Sequence, residues 1–447
     1  MLSQLACLGR HTITGVICTA GSQYRDWSAE YRLYSKDRFC EQALFNQVRL
    51  EVEGYLKADE PLTVAMDDSL FRKTGQRIHG VQYRRDPLGP KFQVSFVRAQ
   101  RILQISAALP SSDGAARMVP IDFLHAPMPK KPRKTDSQKK WELYKQQRKL
   151  ANISKHGIER ICALRQRMDE SSDNKRKLQV VVDGGYTNRN VLRNLPRNTT
   201  LIGRIREDAK LYYLPEFSKS TGRKRVYGQQ APTPKQLRQD ESIAWRRISA
   251  VACGKQHNFK VKTLTPVRWR ASGKVHDLRL VVIAPLGYRL KKGGRMLYRK
   301  PAYLICTDPN LSIQKILQAY IYRWDIEVNF RDEKTLLGVG QAQVRTKKAC
   351  QKVPALAIAA YSMLLTAAAK AFGTTGIPQN IPAPKWRNDK KQRRASTQAL
   401  INQLRFELWS TALTKKRFPH FANKNKTYTK SDKLKNSLDS ALFSVAN

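Results

Sequence analysis

Apolar positions recur at helical intervals over most of residues 1–58, as a mixed segment from Leu2 to Thr19 and an amphipathic stretch from Phe39 to Leu56. The chain is therefore expected to open with helices. After Pro61 the period changes, and LTVAMDD (62–68) reads as a short strand running into two aspartates and a basic, Gly-containing turn. Two further runs rich in apolar and β-branched residues, Phe92 to Phe96 and Ile102 to Leu109, predict an antiparallel meander with it. Pro127 to Lys149 is a proline-broken basic connector leading into a helix that runs to about Met168. Leu178 to Asp183 (LQVVVD) is a short continuous apolar run, typical of a strand buried on both faces, and it ends in Asp183 before the tight turn GGYTN. Between Glu207 and Arg299 short alternating runs such as FKVKTLTPVRWRA predict mostly β structure, and Ala302 to Cys306 supplies another strand.

From Leu311 to Arg345 the helical period returns, with Ser312 to cap the start and Gly338 and Gly340 to end it, which predicts one long amphipathic helix. Val353 to Ala369 is Ala-rich and short for a membrane span, so a buried core helix is expected there. Beyond Gly373 come a Pro-rich joint, a basic run from Arg387 to Arg394, an amphipathic helix from about Ser396 to Leu413 and a Lys/Asn-rich tail.

Candidate chemistry concentrates where these elements end. In the long helix Tyr320, Arg323, Glu327 and Lys334 stand at offsets of 3, 7 and 14 residues. At roughly 100° per residue the last three fall about −60°, −20° and −40° from Tyr320, a single stripe. Asp325, Asp332 and Glu333 fall about 140°, 120° and 220° away and point elsewhere. A carboxylate flanked on its face by a phenol and two cations suits a site that holds a divalent metal and grips phosphates, although a solvated helix face laced with ion pairs has the same composition. Asp67 and Asp68 point in opposite directions on an extended strand, so only one can face the helix acid, and a DD pair also caps turns. Asp183 sits at the C-terminal end of a central strand, a common place for a site, with a cap for the next helix as the lesser alternative. Trp269, flanked by Arg268 and Arg270, offers a ring to an unpaired base if it is not simply packed.

Charge narrows the partner. The 83 Lys and Arg against 35 Asp and Glu give +48 over 447 residues, distributed along the whole length. Such a chain repels itself unless it meets a polyanion, and nucleic acid is the natural one because each neutralised phosphate releases a counterion. A membrane surface is the weaker expectation. The seven cysteines are scattered and odd in number, with no C-x-x-C pair, and the histidines show no metal spacing, so a reducing compartment and no zinc are expected. The N-terminus has no charged region followed by a signal-type apolar core. A cytoplasmic protein is expected.

The spacing Tyr320, two residues, Arg323, three residues, Glu327, six residues, Lys334 closely resembles the motif of bacterial insertion-sequence transposases of the DDE type. Asp183 with GGYTN resembles that family's second-aspartate motif, and its first Asp precedes Thr or Ser, which selects Asp68 before Ser69. The resemblance covers roughly residues 1–372. It implies a ribonuclease-H-like α/β fold: a helical region over 1–58, a catalytic domain over 59–206 and 300–372 interrupted by a β-rich insertion at 207–299, and a basic C-terminal region at 373–447. It also implies two Mg²⁺ or Mn²⁺ ions held by catalytic Asp68, Asp183 and Glu327, with Tyr320, Arg323 and Lys334 on DNA. Cleavage at element ends and joining to target double-stranded DNA would follow, by a homodimer assembled on that DNA in a bacterial cytoplasm or nucleoid. Met1 falls almost on the first apolar segment, so little room is expected for a separate DNA-reading head. A domesticated DNA-binding protein and a structure-specific nuclease without strand transfer are the rival expectations.

Overall fold

The computed structural model describes the chain except residues 91, 112, 172–175, 217–223, 253, 378–393, 416–437 and 443–447. The Pro-rich joint and most of the basic run before Arg394 lie outside the described residues, as does most of the Lys/Asn-rich tail.

Four helices, α1 (Leu2–Ala6), α2 (Ile13–Thr19), α3 (Ser28–Ser35) and α4 (Glu41–Glu53), open the chain. They are followed by strands β1 (Leu62–Arg72), β2 (Gln82–Arg85), β3 (Phe96–Pro110) and β4 (Ala116–His125), then helices α5 (Gln138–Leu150) and α6 (Ile153–Ser171). After β5 (Leu178–Val182), α7 (Arg189–Arg193) and β6 (Thr199–Arg204) come β7 (Leu211–Tyr212), α8 (Pro234–Gln239), β8 (Arg246–Ala252), β9 (Lys255–Trp269) and β10 (Leu278–Ile283). A small ribbon of β11 (Gly287–Tyr288) and β12 (Leu297–Tyr298) precedes β13 (Ala302–Cys306). Helices α9 (Ile313–Arg323), α10 (Asp325–Thr335), α11 (Lys347–Phe372) and α12 (Thr397–Lys415) complete the described elements apart from short 3₁₀ turns.

An 11-stranded mixed sheet runs in the order β2-β3-β1-β5-β6-β13-β10-β9-β7, with β4 on β3 and β8 on β9. The pairs β1–β5 and β5–β6 are parallel, and the other strand pairs of the sheet are antiparallel. The β-rich stretch within 207–299 extends this sheet, because β10 pairs with β13 and β13 with β6.

Alternation along β5 divides the core. Val180 and Val182 pack with Met66 in one cluster, whereas Val181 packs with Ile313, Ile316, Leu317 and Ala319 of α9 in another. Val182 pairs with Met66, so Asp183 and Asp67 emerge next, level with each other on the α9 side of two parallel strands.

Two sequence expectations change, and one strand goes unforeseen. The run Phe92 to Phe96 is not a strand: β3 begins at Phe96, and Phe92 to Val94 lie exposed in the turn before it. Strand β4 was masked by Arg117, Pro120 and Asp122, which break an apolar alternation; Asp122 is buried in ion pairs with Arg160 and Arg167, and the register shifts beside Pro120. The single long helix is two. Trp324 N–H reaches back only to Ile321 and Tyr322, and Glu327 N–H bonds to Trp324 O at 3.2 Å. Asp325, the first residue after the joint, accepts from Met118 N–H at 3.0 Å and pairs with Arg394 at 2.9 Å. Helix α11 is long and apolar enough to cross a membrane, and most of its residues are buried in the core.

Candidate active site

The strand that carries the first acid ends among polar side chains. Asp67 accepts an ion pair from Arg323 of α9, Nη1 to Oδ2 3.3 Å, and Ser69, two residues on and hence on the same face, accepts from Lys334 Nζ of α10 at 2.6 Å. Arg323 and Lys334 therefore bracket one face of β1, as the helical count predicts despite the joint at Trp324. Glu327 lies between them in sequence, exposed, and its charge acts on Lys334. Tyr320 is half-buried against the α9 cluster, with the Arg323 guanidinium 5.6 Å from its ring centroid. Asp325 and Asp332 turn toward Arg394 and Thr397, whereas Glu333 does not point away as the helical count has it: it reaches Gln104, which pairs with Asp67 and shares its face.

Asp68 is on the other face. Its Oδ1 accepts from the Tyr186 hydroxyl at 2.7 Å, and Tyr186 packs on α6, where a Cβ at Gly157 would come within 3.1 Å of the ring and 3.0 Å of Met66 Cε. The acid beneath α9 is thus Asp67, and Asp68, expected there from the sequence, faces Tyr186 on the opposite side of the strand. Residue type before Ser69 cannot report which face the packing helices cover.

Burial, then the neighbouring Asp183 charge, pushes the Asp67 carboxyl up to about 7 against the pull of Arg323. Burial also raises Asp68, opposed by the Tyr186 hydrogen bond and the Arg101 charge. Asp183 is positioned by its own turn: Oδ1 accepts from Gly185 N–H at 2.8 Å, and the Thr187 hydroxyl donates to its carbonyl at 2.9 Å. Gly203 makes room for that hydroxyl, since a Cβ there would lie 2.1 Å from it. The following helix is capped by Asn188, which leaves the Asp183 carboxylate free of that duty.

Trp269 does not stand free. It is half-buried against the core, with its backbone paired to Leu211. The aromatic exposed beside the site is Trp324, 61% exposed at the helix joint. Sequence reasoning missed it because a tryptophan inside an amphipathic helix reads as core.

Two adjacent carboxylates with mutual repulsion and only oxygen donors fit a hard divalent cation. Among the described residues, however, no three His, Cys, Asp or Glu side chains converge on one point, so Glu327 does not complete a cluster with Asp67 and Asp183.

A ribonuclease-H-like mixed sheet with two strand-end aspartates under a helix is the architecture of a nuclease domain, and the family comparison agrees. The chain belongs to the DDE superfamily endonucleases, whose family model matches residues 1–274, a span that includes Asp67, Asp68 and Asp183 and ends before α9. It is an enzyme of the nuclease and transposase type acting on DNA, in a family that generally uses divalent metal ions. No curated protein matches the chain.

Proposed function

We propose that the protein is an insertion-sequence transposase that cleaves element ends and joins them to target DNA, with Asp67, Asp183 and Glu327 as its acids. The observation that carries this reading is the level placement of Asp67 and Asp183 on the face that Arg323 and Lys334 bracket. Asp67 and Asp183 would hold Mg²⁺ or Mn²⁺, with Glu327 offered from α10. When bound, such ions activate the attacking oxygen and stabilise the leaving one.

The chain's own residues do the rest. Lys334 and Arg323 lie on either side of Glu327 in sequence and offer cations to the phosphates flanking the scissile one, Arg323 with a fork that can bind two oxygens. Tyr320 stacks on Arg323 and fixes its direction. Attack by water or a DNA 3′-hydroxyl forms the new P–O bond in line as the bond to the leaving oxygen breaks, and that oxygen takes the proton. A homodimer on DNA in the bacterial cytoplasm fits this chemistry, and the +48 charge supplies affinity through counterion release.

The test is incubation with Mn²⁺ and duplexes carrying candidate element ends. Nicked and joined products together are expected. Nicks without joining would reduce the protein to a nuclease, and no products with any duplex would overturn the assignment.

A further inference from the structure

The turn between β2 and β3 exposes its largest apolar side chains. Leu88 is 88% and Phe92 93% exposed, and Val94 is exposed between Phe92 and the start of β3. Apolar groups at the tip of a two-stranded projection gain nothing from water, and such a patch marks a contact.

The tip is built to hold them out. Asp86 accepts from Leu88 N–H at 3.0 Å through Oδ1, while its Oδ2 pairs with Arg72 at the end of β1, 2.7 Å away. Asp86 N–H donates to Ser95 O at 2.9 Å and closes the hairpin. The tip is therefore tied to the strand that carries Asp67.

Register places the flanks. Asp67 pairs with Gln104, Tyr83 with Arg98 and Arg85 with Phe96, and directly opposed residues share a face. Alternation along β3 then puts Phe96, Arg98, Tyr83 and Arg85 on the Asp67 face, with Tyr83, Arg85 and Phe96 exposed. Between 82 and 98 four basic residues stand against the single acid Asp86. Arg84 Nε and Nη2 are buried without a partner among the described residues.

We propose that this hairpin is a second DNA-contacting site, in which Leu88 and Phe92 wedge between base pairs of duplex DNA while Arg85 and its neighbours meet the flanking phosphates. Aromatic and aliphatic wedges flanked by arginines are how proteins unstack a base step at modest cost. Phe96 is eight residues along β3 from Gln104, so at about 3.3 Å per residue the wedge stands roughly 26 Å or more from the acids. That is about eight base pairs along the helix axis from the scissile phosphate. The inference rests on the proposed action on DNA, and its test separates the two.

Intercalating side chains unwind DNA whatever its sequence. A relaxed closed-circular plasmid is incubated with the protein, EDTA to prevent cleavage and a metal-independent topoisomerase, then stripped of protein and run on a gel. Wild type is expected to leave negatively supercoiled topoisomers in proportion to its concentration. The Leu88→Ser, Phe92→Ser double variant should lose that shift yet bind a short labelled duplex to within about threefold, because phosphate contacts carry most of the affinity. Equal unwinding by both proteins, or none by a wild type that binds the duplex, overturns the wedge and leaves the proposed function standing. A wild type that binds no duplex overturns both. If wild type sediments as a dimer without DNA and the double variant as a monomer, the tip meets a second copy of the chain and the wedge is overturned.

Discussion

Arg323 Nη1 lies 3.3 Å from Asp67 Oδ2, so the cation of the helix occupies the carboxylate that a metal would need. Both side chains are largely buried, 12% and 13% exposed. Arg323 and a divalent ion therefore compete for the same oxygen. Arg323→Ala should bind Mn²⁺ more tightly than wild type, by roughly tenfold for loss of one competing charge contact, while cleaving DNA far more slowly. Titration calorimetry for the metal and single-turnover nicking for the reaction would show the two moving in opposite directions. Weaker Mn²⁺ binding in the variant would mean that Arg323 supports the metal site.

The choice between neighbouring aspartates is open to direct test. Asp67→Ala and Asp183→Ala should each reduce Mn²⁺-dependent nicking by at least about a thousandfold with DNA binding nearly intact. Asp68→Asn keeps an acceptor for the Tyr186 hydroxyl and should retain activity to within about tenfold. Loss in Asp68→Asn with activity kept in Asp67→Ala would return the assignment to the other face of the strand.

Asp183 was legible because LQVVVD followed by two glycines is a buried strand entering a tight turn, a pattern fixed locally. Which of Asp67 and Asp68 faces the helix was not, since alternation offers both directions and the decision belongs to α6 and α9, more than 80 residues away. Of the stripe Tyr320, Arg323, Glu327 and Lys334, Arg323 and Lys334 reach one face of β1, and Glu333, outside the stripe by the helical count, reaches that face too through Gln104. The break at Trp324 was invisible because no Gly or Pro marks it. Met118 and Arg394, from other parts of the chain, hold Asp325 just beyond it. The exposed tip at Phe92 looked like a strand because an apolar run carries no record of what will cover it.

Glu333 gives the helix a pH dependence. It is fully buried, with Oε1 accepting from Gln104 Nε2 at 2.9 Å and Oε2 without a partner among the described residues. Burial pushes its carboxyl up to about 8, against the Gln104 hydrogen bond. Below the ordinary carboxylate range both folded and unfolded chains hold the proton. As pH rises toward 8 the unfolded chain loses it while the folded chain keeps it, so the unfolded state binds fewer protons and stability falls, by on the order of 1 kcal/mol per pH unit at most. Glu333→Gln removes this contribution. Urea midpoints at about pH 6 and about pH 9 should differ more in wild type than in the variant, and equal differences would place the Glu333 proton elsewhere.

Lys334 allows the phosphate role to be separated from a structural one. Its Nζ donates to Ser69 Oγ at 2.6 Å, so its loss could act by freeing the end of β1 rather than by releasing DNA. Ser69→Ala breaks the same hydrogen bond but leaves the cation in place. If Lys334 grips a phosphate, Lys334→Ala should lower cleavage about a hundredfold while Ser69→Ala stays within a fewfold of wild type. Lys315, exposed on the far side of α9, is the control for charge alone, and Lys315→Ala should cleave normally. Raising Mn²⁺ should not rescue Lys334→Ala, because the defect is in holding DNA rather than metal. Equal damage from Ser69→Ala and Lys334→Ala in single-turnover assays would show that the lysine acts only through the strand.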